Sequence, residues 1–219
     1  MRDLITYCAD IGSVCGGRFG WARVEPDEPH PPEGGKSIDD LVRAVAADLK
    51  RRPVALGFEC PLWLPYPAQS KDLGRARPGE GRHPWSAGAG AAVLATGLVQ
   101  LPWILEGLRR LLPGASSHTD WAQFEKAGSG LFLWEAFISG AGKAGPGISE
   151  SLDVDVRDAT IAASEFARRS RLGAMTTDLP APEAGAVISV LGLALAASGW
   201  SGDQAVLRRD CLVLKVDGP

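Results

Sequence analysis

The chain has 219 residues, enough to enclose one sizeable core, and no long polar linker divides it, which predicts a single domain over residues 1–219. A hydrophobic share of 45% against 22% charged residues is ordinary globular composition, and a net charge of -3 excludes a general electrostatic pull toward nucleic acid. Any grip on phosphate must therefore be local.

The N-terminal residues lack the positive start and apolar core of a secretory signal. The four cysteines, Cys8, Cys15, Cys60 and Cys211, contain no CxxC pair and do not cluster with the three histidines, so they suggest neither a zinc site nor a disulfide framework. Reduced thiols in a cytoplasmic protein fit them best.

Residues 4–11 read as a strand, 12–18 as a glycine-rich turn and 19–24 as a second strand whose Phe19 and Trp21 share a face, which together make a hairpin. Residues 25–36, crowded with proline and acids, predict a loop with a frayed edge strand. Ser37 then caps a helix, with Asp40 three residues on and Ile38, Leu41, Val42, Val45 and Leu49 at helical spacing. Pro53 stops it. Residues 54–59, apolar until Glu59, predict a central strand covered on both faces.

Residues 60–90 mix prolines and glycines with Lys71, Arg75, Arg77 and Arg82, which predicts a long irregular segment. Residues 91–112 are helical, with Pro102 either kinking the helix or starting a second one. "LFLWEAFI", residues 131–138, predicts another buried strand, with Glu135 in its second half, and the glycine-rich "SGAGKAGPG" links it to a helix over 155–171. That helix has acids at its start and arginines at its end, matching the macrodipole. Residues 184–200 carry no charge and approach the lower limit for a membrane span, but their glycines and serines and the strand-like 211–216 that follows predict a buried core helix.

Asp10, Glu59 and Glu135 thus share one feature: each lies in the downstream part of an apolar strand, where an uncompensated charge is costly. Taken singly, each has an ordinary structural role. Asp10 can form a turn, Glu59 can pair with an arginine, and Asp155 and Asp158 suit a helix cap and first turn. Taken together they point to a divalent cation, because Mg²⁺ or Mn²⁺ takes hard oxygen ligands and holds several carboxylates ionised side by side. Asp155 and Asp158, three apart on a helix, can complete the cluster. Metal ions bridged by carboxylates stabilise the attacking and leaving oxygens of a phosphodiester displacement, the chemistry of a nuclease.

Other chemistries find less support. There is no GxSxG elbow, no Walker phosphate loop, and His30, His83 and His118 all lie in or beside loop-like sequence. "DIGSVCGGRFG" is similar to the phosphate-binding hairpin of the sugar kinase and actin superfamily, but that architecture needs two such domains. Arg75, Arg77, Arg82 and His83 are candidates for phosphate or leaving-group contacts, against a solvated loop. Of the tryptophans, Trp21, Trp103 and Trp134 sit in apolar patterns, while Trp63 and Trp85 flank the irregular segment and are the candidates for base stacking or for anchoring the loop.

The ordered set of strand-acid, glycine turn, aromatic-bearing second strand, helix, strand-acid and late acidic helix resembles the ribonuclease H-like superfamily, an α/β fold whose five-stranded mixed sheet starts with three antiparallel strands and is flanked by helices. More narrowly, "CADIG", "FECPLWLP", "LWEAF" and "DVRDATIAA" resemble the motifs of a predicted-nuclease family known as domain-of-unknown-function family 429. The match runs over most of residues 4–171. It departs at Ala9, where the family has glycine, at Glu59 in place of aspartate, and after Glu135, where proline is missing.

The resemblance implies a metal-dependent nuclease with Asp10, Glu59 and Asp158 as the primary metal ligands, and Glu135 and Asp155 as additional ligands or supporting carboxylates. The catalytic set it implies is Asp10, Glu59, Glu135 and Asp158, and the metal set Asp10, Glu59, Asp155 and Asp158. The same fold without the chemistry, binding nucleic acid or a protein partner, is the competing reading.

Overall fold

The structure, a computed structural model, describes residues 3–25, 32–81, 84–138, 153–182 and 186–216. Strands β1 (Ile5–Asp10) and β2 (Gly20–Val24) form the expected hairpin, and the frayed edge strand is β3 (Glu33–Gly35). Helix α1 (Ile38–Leu49) begins where Ser37 accepts from the Asp40 backbone N–H, and β4 (Val54–Glu59) follows. The irregular stretch after it holds a short strand β5 (Trp63–Pro65) and a single 3₁₀ turn (Ser70–Asp72).

Helix α2 (Gly88–Leu111) starts earlier than its apolar periodicity suggests and runs unbroken through Pro102. The carbonyl that Pro102 leaves without a donor belongs to Leu98, an exposed residue that water can serve. Next come β6 (Ser117–His118), α3 (Trp121–Ala127), β7 (Leu131–Ile138) and α4 (Val154–Leu172). The expected core helix over 184–200 is instead a short strand β8 (Val187–Ser189) and a shorter helix α5 (Val190–Ala197). β-branched Val187 and Ile188 favour extended backbone, and the Ser189 hydroxyl caps the helix by accepting from Gly192 N–H. A 3₁₀ turn (Gln204–Arg208) leads to β9 (Val213–Val216). The glycine-rich link at 139–147 lies outside the described residues, as do Arg82 and His83.

The main sheet is mixed and has seven strands, not five, in the order β3-β2-β1-β4-β7-β6 with β9 also on β7. The first three are antiparallel, and β1, β4 and β7 run parallel. Since β4 takes one edge of β7, β6 and β9 share the other: β6 pairs with Leu131 and Phe132, and β9 with the stretch from Glu135 onward. β9 lies within the strand-like 211–216, whereas β6, and β5 pairing β8 apart from the main sheet, are what the sequence reading did not anticipate. β5, β6 and β8 are each only two or three residues long, too short for an alternating pattern to stand out.

Side-chain parity divides the core. Ile5, Tyr7, Val54, Leu56, Phe58, Leu131 and Leu133 face α1, α2 and α5. Cys8, Ala55, Phe132 and Trp134 face α4 and α3. On this second side Gly57 lacks the side chain that would collide with the Trp134 indole at 2.4 Å, so the indole lies across the sheet and meets Phe166 of α4 at 4.5 Å between centroids. Among the described residues α2 alone is long and apolar enough to cross a membrane, yet it packs on α1 and α5 through Leu101, Ile104, Leu105 and Leu108. Trp103, expected in the core, is 40% exposed on its outer face, whereas Trp63, a candidate for exposure, is fully buried.

Candidate metal centre

Parallel pairing puts Asp10 directly opposite Glu59, at the last positions of β1 and β4. Paired residues in a sheet project to the same face, and here it is the face shared with Cys8 and covered by α4. Helix α4 enters over the start of β2, where Gly20 permits contact: a Cβ there would lie 2.5 Å from the carbonyl carbon of Asp155. That approach brings the second turn of α4, and Asp158, down onto the strand ends. Ligand oxygens of Asp10, Glu59 and Asp158 all lie within 4.8 Å of one another, with Asp158 buried and the two strand residues half-buried. These three residues can hold a metal ion.

Three ionised carboxylates at that separation repel one another by about 3.5 kcal/mol per pair at an effective dielectric near 20. A divalent cation placed among them reverses the sign of that energy. The negative potential registers on the neighbouring thiol: burial first, then the charges of Glu59 and Asp10, push Cys8 well above the ordinary thiol range. The donor set is all oxygen, which suits a hard cation and not a thiolate-seeking one.

The other two expected acids stand outside this cluster. Glu135 pairs in register with Phe58, one position short of Glu59, and so projects to the opposite face of the sheet. There Arg77 meets it with two charge-assisted hydrogen bonds, Nη1 to Oε2 at 2.8 Å and Nη2 to Oε1 at 2.6 Å, and the Leu62 N–H donates to Oε2 at 2.8 Å. The Arg77 side chain is fully buried, also donates from Nε to Glu80 Oε1 at 3.1 Å, and stacks on Trp63 with its guanidinium 5.0 Å from the ring centre. Arg77 is therefore a structural pin, and neither the phosphate contact nor the solvated loop residue that its glycine- and proline-rich surroundings suggest. Arg75 lies on the surface, paired with Asp72 at 2.8 Å.

Asp155 belongs to the first turn of α4, which is capped by Asp153. Its carboxylate takes Lys36 Nζ at 2.6 Å and Arg18 at 3.5 Å, and Lys36 simultaneously reaches Asp153 at 2.6 Å. Although the two side chains lie only about 60° apart around the helix, Asp155 is drawn to Lys36 and to Arg18 of the hairpin turn while Asp158 reaches the strand ends. Glu165, farther along α4, is held by Arg168 and Arg169.

A cleft of about 500 Å³ opens at these strand ends, bordered by Asp10, Glu59, Arg18, Trp85, Glu135 and Asp155. Trp85 is the wall residue whose role the sequence left open between stacking and anchoring. A larger cleft of about 770 Å³ lies at the edge of the sheet, between β6 and the segment entering β9, and contains none of the three clustered acids. Comparison with protein-family models, with curated proteins and with solved structures finds no significant match.

Proposed function

We propose that the protein is a metal-dependent phosphodiester hydrolase, a nuclease of ribonuclease H-like type, with Mg²⁺ or Mn²⁺ held by Asp10, Glu59 and Asp158. The observation that carries this reading is the convergence of three carboxylates from β1, β4 and α4 within 4.8 Å at one end of a parallel strand pair. The strand order β3-β2-β1-β4-β7, antiparallel then parallel, supports the resemblance, with β6 and β9 as additions beyond it. A hard divalent cation supplies charge neutralisation at the phosphoryl oxygens and activation of water.

The chain's own residues prepare for that. Register fixes Asp10 and Glu59 relative to each other, since neither can move without breaking the β1–β4 ladder. Asp158 arrives on a helix seated by Gly20 and by the alanines Ala159, Ala162 and Ala163, whose small side chains allow close approach to the sheet. Arg77 neutralises Glu135, which keeps that charge from competing for the cation across the sheet. Lys36 and Arg18 do the same for Asp155.

The test is hydrolysis of bis(p-nitrophenyl) phosphate and of labelled single- and double-stranded DNA and RNA, with Mn²⁺, with Mg²⁺ and with EDTA. Asp10→Asn and Asp158→Asn are each expected to lower metal-dependent kcat/KM by about a hundredfold or more. Glu165→Gln, half-buried on α4 and held by Arg168 and Arg169 apart from the three carboxylates, is expected to leave it unchanged. A wild-type protein that binds Mn²⁺ yet hydrolyses none of these substrates would refute the enzymatic reading in favour of a noncatalytic binding module.

A further inference from the structure

The cleft beside the three carboxylates has a wall whose construction the metal does not explain. Trp85 borders it, and both polar handles of that residue are engaged inside the protein: its backbone N–H donates to Glu80 Oε1 at 2.9 Å, and its indole Nε1–H donates to the Arg75 carbonyl at 3.0 Å. What Trp85 offers the cleft is therefore apolar ring surface. Glu80 is itself fixed, because its carboxylate also accepts from the backbone N–H and Nε of the fully buried Arg77. The ring is preorganised, and a ligand that stacks on it does not have to order the loop first.

The charge around the cleft is as uneven as its walls. Among its described lining residues the cation is Arg18, whose side chain is 67% exposed and touches Asp155 at 3.5 Å, a looser contact than the 2.6 Å that Lys36 makes. Asp10, Glu59, Glu80, Glu135 and Asp155 all border the same space. A track for a long polyanion needs a run of cations, each neutralising a phosphate, and the described lining of this cleft presents one. Its volume of about 500 Å³ is that of a small-molecule site. An indole can stack only on a base whose face is open, which a base inside a duplex is not.

Resting on the phosphodiesterase reading above, we propose that the cleft takes one unpaired nucleotide, with its base against Trp85 and its phosphate against Arg18. The shared chemistry is a single nucleobase carrying a phosphate ester, whether it arrives as a free nucleotide or as the terminal unit of a strand.

Calorimetric titration of the full chain, with and without saturating Mn²⁺, tests this with thymidine 5′-monophosphate against ribose 5-phosphate, which lacks the base. Wild type is expected to bind the nucleotide about tenfold more tightly or better. Trp85→Leu is expected to bring the two affinities together while leaving Mn²⁺ binding and ribose 5-phosphate binding intact, and Trp85→Phe to restore part of the preference. Arg18→Gln is expected to weaken both ligands by the same factor. A single-stranded tetranucleotide binding as well as the mononucleotide identifies a strand end as the source; a tetranucleotide that fails to bind identifies the free nucleotide. Equal affinities in wild type, a preference that survives Trp85→Leu, or tighter binding of a blunt duplex than of either would overturn the proposal. Loss of Mn²⁺ binding alone, with the base preference kept, would count against the metal reading and not against this one.

Discussion

Glu59 ends one apolar strand and Glu135 stands in the second half of another, yet Glu59 joins the cluster and Glu135 is locked into a buried ion pair, and a single step of register separates them. Sequence could not show that step. "LFLWEAFI" is apolar on both faces, so its parity carries no label for inside or outside, and the partner, Arg77, lies 58 residues away in a stretch that reads as solvated. The local hint was Glu80, three residues after Arg77 and bound to it. Asp10, Glu59 and Asp158 were legible because each carries a charge at the margin of an apolar element. Two outcomes follow from the pin. Arg77→Met leaves Glu135 as an uncompensated buried charge and is expected to lower unfolding free energy by about 3–5 kcal/mol, read from urea denaturation. Glu135→Gln, by contrast, is expected to leave Mn²⁺ affinity unchanged in a calorimetric titration, and a marked loss would make Glu135 a ligand after all.

At the scale of elements, the long periodic segments were readable and the short ones were not. β1, β4, β7 and α4 appeared in the sequence within a residue or two of their bounds, because each buries a long enough run to show its period. β5, β6 and β8 have two or three residues each and exist through their pairing partners. Site geometry depends on how the readable elements meet, and at Gly20 the sheet backbone leaves no room for a side chain against the start of α4. Gly20→Ala would drive a methyl group into the Asp155 backbone at 2.5 Å. The helix must lift, and Asp158 with it. The substitution is expected to cost about 1–3 kcal/mol of stability and to weaken Mn²⁺ binding as well. Thermal denaturation paired with metal titration reads both; a destabilised protein with full Mn²⁺ affinity would show that α4 does not set the Asp158 position.

Across the whole molecule, the buried ionisable groups make stability depend on pH at both ends. Burial raises the thiols of Cys8, Cys60 and Cys211 well above their ordinary range, with Glu59 and Glu135 adding to the effect. An unfolded thiol ionises near pH 8.5, so the unfolded state releases protons first, and stability falls above that pH by about 1.4 kcal/mol per unit for each thiol. Tyr7, also raised by burial and by its 2.7 Å hydrogen bond to Asp48, adds to the loss above about pH 10. At the acid end, burial would raise Asp48, but hydrogen bonds from Arg23 and Tyr7 outweigh it and hold the carboxyl low. Its contribution is present above the unfolded value near pH 3.9 and is lost as pH falls toward the folded one. Denaturation midpoints between pH 3 and pH 10.5 are expected to show both limbs, with a shallower alkaline limb in Cys211→Ala; an unchanged alkaline slope in that variant would remove its thiol from the explanation. Composition pointed to unpaired cysteines but not to the burial of Cys8, Cys60 and Cys211, since a cysteine in an apolar run gives no sign of which face it takes. The most direct measurement of the central claim is calorimetric titration of wild type, Asp10→Asn, Glu59→Gln and Asp158→Asn with Mn²⁺. The expected result is saturable binding in wild type that each of the three substitutions weakens or abolishes. Binding that survives all three, or no binding in wild type, would contradict a metal centre at these strand ends.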